Sequence, residues 1–143
     1  MKSNHIRIAS IILYLIALSQ KSYCTNNDCG ELGSGLVVVL LGAFGMFASK
    51  ACVAWLANPL LFLSWIMYRW KAKLSFLLNF ISLAIALSFL FFNEIIIDEA
   101  GTIGKITGYA LGYWIWLISI LVLLVGNTLN WKKLDKSKPR NIQ

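Results

Sequence analysis

The stretch that most constrains the fold of this chain is an apolar run at residues 50–70, KACVAWLANPLLFLSWIMYRW. About 20 apolar residues cross the hydrocarbon core of a bilayer, so this run is long enough to span it. Cations flank the run at both ends, and an Asn-Pro pair interrupts it near the middle. Whether it crosses completely fixes the side of the membrane on which every other loop lies.

Composition places the whole chain in a membrane. Of its 143 residues, 59% are hydrophobic and only 13% are charged, whereas a soluble domain is about 45–50% apolar and about 25% charged. The net charge is +7, but the cations cluster at the ends of apolar runs. We therefore interpret them as topology signals and predict no nucleic-acid partner. The expected fold is all-α, a single polytopic membrane domain over residues 1–143.

Four spans are predicted, at about residues 6–20, 50–70, 74–92 and 105–126. The apolar segment 36–49 is too short to join them easily, and we expect a re-entrant or interfacial helix there. The first span also has the features of a signal peptide, with a basic start and a small-x-small site at Ala17-Leu18-Ser19. An alternative count of five spans has residues 32–49 cross as well.

The distribution of cations favours four spans. In that arrangement Arg69, Lys71, Lys73 and the basic tail 127–143 all lie on the inner side, together with the basic N-terminus, as the positive-inside rule requires. The outer side then holds a cysteine-containing loop at residues 21–34 and an acidic loop at residues 93–104. The sequence thus predicts a multi-pass protein of the bacterial inner-membrane type, with both termini cytoplasmic if the first helix is retained.

Two cysteines stand in the first outer loop. Cys24 and Cys29 are spaced to close a small loop, which favours a disulfide in an oxidising compartment. Free thiols or a redox-active pair are the alternatives. Metal binding would need two more ligands, and the only histidine, His5, lies near the other side. We predict neither a metal nor a cofactor.

Small and polar residues in the apolar runs indicate close helix packing. G-x-x-x-G steps let helices approach closely in lipid, and the last span opens with two such overlapping steps. A polar stripe also runs along the span at 74–92, with an asparagine at depth that we expect to hydrogen-bond across helices. The predicted helix-packing residues are Gly42, Gly45, Asn79, Gly104, Gly108 and Gly112.

Two further features admit a structural and a functional interpretation. Asn58-Pro59 predicts a packing kink, or alternatively a hinge or a discontinuous-helix ion site. Glu94, Asp98 and Glu99 predict a solvated outer segment, or alternatively a site for a cation or for acid–base chemistry.

These patterns favour a non-enzymatic membrane protein that acts by packing against a partner, either as an accessory subunit or as an immunity-type protein. Its expected partners are the bilayer and either a second copy or another membrane protein. Four helices with outward-facing cysteines resemble, in outline, the bacterial disulfide-generating quinone reductases, which would imply a quinone-linked thiol oxidoreductase using Cys24 and Cys29. The size is similar to that of four-helix multidrug exporters, which would imply a small oligomeric transporter or channel.

Overall fold

The protein is described by a computed structural model over residues 2–30, 33–45, 50–97, 100 and 102–137. It is mostly helical, as the composition predicts. The helices are α1 (Lys2–Leu18), α2 (Gly35–Gly45), α3 (Ala57–Met67), α4 (Ala72–Ser88) and α5 (Leu111–Ser137). A 3-10 helix, Lys50–Leu56, leads into α3, and a shorter one, Phe89–Phe91, follows α4.

Within the described ranges, three helical stretches are long and apolar enough to cross a membrane: Lys50–Met67, Ala72–Phe91 and Leu111–Lys132. Two shorter apolar helices accompany them, Asn4–Leu18 and Gly35–Gly45. The described part of α1 lacks the length of a standard span, as its sequence predicts.

Helices α1, α3, α4 and α5 form an antiparallel bundle. α1 packs along α5, α3 forms a hairpin with α4, and α4 also lies against α5. The chain between α3 and α4 is only a few residues long, which forces these two helices to be neighbours. We call the end of the bundle at the α3–α4 turn the inner end, and the opposite end the outer end.

A small antiparallel sheet covers the outer end, which the sequence did not predict. Its strands are β1 (Tyr23–Thr25), β2 (Glu94–Ile96) and β3 (Ile103–Tyr109), in the order β1-β3-β2. β1 comes from the loop after α1, and the other two strands come from the loop between α4 and α5. Both loops therefore lie at the same end of the bundle.

The sheet corrects the predicted start of the last helix. α5 begins at Leu111 rather than at residue 105, because residues 103–109 form β3. Gly104 and Gly108 consequently lie on a strand and not on a helix. A four-residue spacing keeps two residues on one face in a strand, where side chains alternate, as well as in a helix. The G-x-x-x-G spacing alone therefore does not distinguish the two structures.

Helix α2 lies at the outer half of the bundle. The backbone N–H of Gly35, its first residue, donates to the carbonyl of Gln20 just after α1. Its last described residue, Gly45, packs against Cys52 in the 3-10 helix. Both ends thus contact residues of the outer half. Residues 46–49, which complete the predicted segment 36–49, lie outside the described residues.

Candidate functional site: an apolar cavity beneath the outer sheet

The inner half of the bundle is held by a buried polar network. The Ser64 hydroxyl lies 2.9 Å from the Ser75 carbonyl, and the Ser75 hydroxyl lies 2.8 Å from the Ser64 carbonyl. The Asn127 side chain joins them from α5, with its Oδ1 2.7 Å from the Ser75 hydroxyl. All three residues are fully buried. Because their polar groups satisfy each other, this network ties α3, α4 and α5 together without leaving a reactive group.

A second set of hydrogen bonds joins α1 to the bundle. The Ser10 hydroxyl donates to the Ser119 carbonyl at 2.8 Å and accepts from the Trp65 indole at 3.1 Å. Tyr14 donates to Asn58 Oδ1 at 3.1 Å. In a bundle surrounded by lipid, such bonds specify which helices are neighbours, since apolar contacts alone do not. They make α1 an integral part of the described fold.

The Asn58-Pro59 pair falls where the 3-10 helix becomes α3, rather than inside a continuous helix. Pro59 has no N–H to donate to Trp55, four residues earlier. The Asn58 side-chain amide donates to that carbonyl instead, at 3.1 Å, and the Ser82 hydroxyl of α4 bonds the carbonyl of Ala57 at 2.8 Å. The backbone break is therefore satisfied by neighbouring side chains, as it must be in a membrane.

Tyrosine hydroxyls cap the outer end of α4. Tyr113 donates to the Ala86 carbonyl at 3.0 Å, and Tyr109 lies 3.3 Å from the Phe89 carbonyl. The Ala86 carbonyl belongs to the last turn of α4 and the Phe89 carbonyl to the 3-10 helix that follows. Each also accepts a backbone N–H, so the tyrosines add a second hydrogen bond to these carbonyls. The rings of Tyr23, Phe89, Tyr109 and Tyr113 also contact one another. The resulting aromatic cluster fixes the sheet to the bundle.

Beneath this cluster lies a cavity of about 820 Å³. Its walls come from α1, α2, the 3-10 helix before α3, the start of α5 and the underside of β2. The lining is mostly apolar, as in small-molecule sites of similar size. Representative lining residues, one from each wall, are Leu18, Val38, Ala54, Trp116 and Ile95.

Most of the polar side chains that line the cavity are already hydrogen-bonded within the protein. Tyr14 and Asn58 bond each other, and the Trp55 indole donates to the Val39 carbonyl at 2.7 Å. The Tyr113 hydroxyl donates to the Ala86 carbonyl of α4. The Trp116 indole N–H is buried with no partner among the described residues. The cavity therefore presents mainly hydrocarbon to an occupant.

The predicted disulfide is present. Cys24 and Cys29 are bonded to each other, and they close the turn at Asn26 and Asn27, both of which have positive φ. Cys52, the cysteine outside this bond, lies in the cavity wall. Burial, and to a lesser degree the neighbouring Cys52, raise the pKa of the Tyr23 phenol to about 12. A phenol in this position stays protonated at neutral pH.

The predicted packing glycines make three different kinds of contact. Gly42 and Gly45 face the 3-10 helix, where a Cβ on Gly42 would overlap the Trp55 ring. Gly112 lets α5 approach the end of α1, since a Cβ there would lie 2.6 Å from the Lys21 carbonyl oxygen. Gly104 instead faces Ile97 in the sheet, and Gly108 has open space beside it.

Asn79 forms the expected interhelical bond, from its Nδ2 to the Ile120 carbonyl at 3.2 Å. Its Oδ1 is buried with no hydrogen-bond partner among the described residues. Of the predicted acidic site, Glu94 lies exposed on β2 opposite Lys105, while Asp98 and Glu99 lie outside the described residues. The part of the chain that the structure describes contains no group of three or more His, Cys, Asp or Glu side chains able to hold a metal ion.

The cavity and the tyrosine caps were not predicted. The aromatic residues at 109 and 113 could have indicated these bonds, because a buried tyrosine hydroxyl usually finds a hydrogen-bond partner. The cavity had no local signal, since its walls come from five separate segments. Comparison of the chain with protein-family models, with curated proteins and with solved structures finds no match.

Proposed function

We propose that this chain is a non-enzymatic membrane protein of the bacterial inner-membrane type that acts by packing against a partner, as an accessory subunit or an immunity-type protein. The polar interior supports this proposal. The buried hydroxyls and amides of the inner half bond each other and backbone carbonyls, so they act as structural ties. In the sequence, the six acids fall outside the long apolar runs, at positions 28, 31, 94, 98, 99 and 135.

The observation that carries the proposal is an exposed apolar ridge on α2. Leu36, Leu40 and Phe44 follow one another at four-residue spacing, so they lie on one face of the helix. They are 51%, 63% and 76% exposed. Because α2 is held at the bundle by Gly42 and Gly45 on its other side, it offers this ridge as a rigid surface for a second helix.

The topology that fits this role has four crossings and cytoplasmic termini. The joining of β1 with β2 and β3 in one sheet supports it, because an even number of crossings must separate Thr25 from Glu94. α3 and α4 supply two, which leaves α2 at the outer surface. Fusion of a compartment-specific reporter at Lys50 and at Lys71 tests this. We expect outer-side activity at Lys50 and inner-side activity at Lys71. The reverse pattern, which the five-span count requires, would contradict it.

A photo-crosslinking amino acid placed at Leu40 tests the partner proposal in native membranes. A protein adduct of defined mass is expected from this position. The matched control is Leu77 of α4, which is 52% exposed and lies away from the ridge, where only lipid adducts are expected. Lipid adducts alone at both positions would count against partner binding.

The contact between Cys52 and the cavity favours a second candidate function, a quinone-linked thiol oxidoreductase. Cys52 lies close enough to Tyr23, the neighbour of Cys24, to raise the pKa of the Tyr23 phenol. An apolar cavity beside the Cys52 thiol would suit a quinone. Replacing Cys24 and Cys29 by serine should then abolish thiol oxidation while the protein remains folded. The third candidate, a transporter, has no acid inside its spans to carry a proton or cation.

A further inference from the structure

We propose that the outer cavity binds one acyl chain of an anionic lipid from the outer leaflet. This site goes beyond the proposed partner binding and shares only Phe44 with the α2 ridge. Because it is tested at Val38 and Lys50, which are not ridge residues, either proposal can fail alone. Its volume of about 820 Å³ lies within the range of about 300–1,000 Å³ that small-molecule sites occupy. The residues that line the cavity indicate which class of ligand fits.

The lining offers few unpaired polar groups to a ligand. The hydroxyl of Tyr14, the amide of Asn58 and the indole N–H of Trp55 all have partners within the protein. The buried indole N–H of Trp116 is an exception, since it has no hydrogen-bond partner among the described residues. A strongly polar ligand would lose most of its hydrogen bonds to water and find few replacements, which is costly. A hydrocarbon chain loses nothing and gains packing contacts.

The position of the cavity selects a lipid over a soluble apolar molecule. Its walls belong to helices whose outer faces are also apolar. On α2, for example, Leu40 is exposed beside the lining residues Val39 and Leu41. Lipid is the solvent around such a surface, and it supplies hydrocarbon chains at high local concentration.

A cation near the rim selects the head group. Lys50 is exposed and directly precedes Ala51 and Cys52, which line the cavity. It is the first residue of the 3-10 helix that forms one wall of the cavity, so we expect its ammonium to attract the phosphate of a lipid whose chain enters the cavity. A lysine near the membrane surface attracts anionic head groups. The predicted ligand is therefore an anionic phospholipid rather than a zwitterionic one.

Native mass spectrometry of the purified full-length protein tests the proposal, with phosphatidylglycerol and phosphatidylcholine of equal chain length as probes. Val38→Phe fills the cavity from α2, whereas Leu40→Phe places the same ring on the exposed side of the same helix. We expect one tightly retained phosphatidylglycerol in the wild type and in Leu40→Phe. Val38→Phe should retain it about tenfold less, because several methylene contacts are excluded.

Equal retention by all three proteins would overturn the proposal, as would equal binding of the two lipids or no effect of Lys50→Gln on their ratio. If Val38→Phe fails to fold, an alkylation measurement on the wild-type protein tests the proposal instead. Cys24 and Cys29 are bonded, so N-ethylmaleimide reports on Cys52 in the cavity wall. Added phosphatidylglycerol should slow this alkylation about tenfold relative to phosphatidylcholine, and an unchanged rate would overturn the proposal.

Discussion

The two halves of the bundle use their side chains in opposite ways. In the inner half, serine and asparagine side chains bring helices so close that the hydroxyls of Ser64 and Ser75 reach each other's backbone carbonyls. In the outer half, aromatic rings and a disulfide-bonded sheet hold the helices apart over a cavity. We therefore expect the inner half to contribute most of the stability, and both proposed binding sites lie in the outer half.

The largest effect is expected when the inner half is opened by Ser75→Leu. The change removes the bond from the Ser75 hydroxyl to the Ser64 carbonyl and leaves the Asn127 Oδ1 without its Ser75 hydroxyl partner. A leucine also has no room at a fully buried position. We expect a loss of roughly 3 kcal/mol in the free energy of unfolding, from overpacking and unsatisfied polar groups together.

Thermal unfolding in detergent micelles, followed by circular dichroism, measures this effect. The control is Ser88→Leu on the same helix, because Ser88 is half-buried and bonds only the Ile85 carbonyl one turn earlier. Ser88→Leu should change the midpoint temperature of unfolding only slightly. Equal shifts for the two variants would show that the inner network has no special role.

Removal of the disulfide should loosen the outer end alone. Cys24→Ser with Cys29→Ser opens a short loop, for which the chain-entropy estimate is about 2 kcal/mol. Hydrogen exchange should rise at the amides of β1 and β3, while α3 and α4 keep their protection. Cys52→Ser serves as the control and should leave exchange in the sheet unchanged. Uniformly faster exchange across all helices would contradict a division between the halves.

A smaller effect is expected at the tyrosine caps. Tyr113→Phe keeps the ring but removes the hydrogen bond to the Ala86 carbonyl, which should cost about 1 kcal/mol. Phe91→Leu is a suitable comparison because Phe91 is 84% exposed. Its replacement should leave the unfolding midpoint unchanged. The difference between their unfolding midpoints in micelles measures the contribution of the cap.

The smallest effect concerns Tyr23 and is confined to high pH. Its pKa in the folded protein, about 12, lies above the ordinary value of 10.0, so folding favours the protonated phenol. This contribution is fully present below pH 10 and is lost as the pH rises from about 10 to about 12. Exchange in the sheet should increase over this window in the wild type more steeply than in Tyr23→Phe. Identical pH profiles would show that Tyr23 does not couple folding to pH.

The sequence predicted the features that depend on local pattern. The helical, membrane-type composition, the disulfide at Cys24 and Cys29, and the cross-helix bond of Asn79 all follow from residue type and spacing. The sheet was missed because Gly104 and Gly108 share a face in a strand as well as in a helix.

Features built from distant segments had no local signal. The cavity needs walls from α1, α2, α5 and β2 at once, and no single stretch encodes it. The partner of Ser75 is likewise set by how α4 and α5 dock, which brings Asn127 to it across 52 positions of sequence. A polar stripe predicts that a helix face is buried but not which residues it meets.

The most direct test of the division between stability and binding compares two variants in native membranes. Leu40→Asn alters the exposed ridge of α2, and Ser75→Leu alters the inner network. Blue-native electrophoresis, with total abundance measured in parallel, reports complex and folded protein together. We predict that Leu40→Asn lowers the complex at unchanged abundance, whereas Ser75→Leu lowers both in proportion. An undiminished complex with Leu40→Asn would contradict the account.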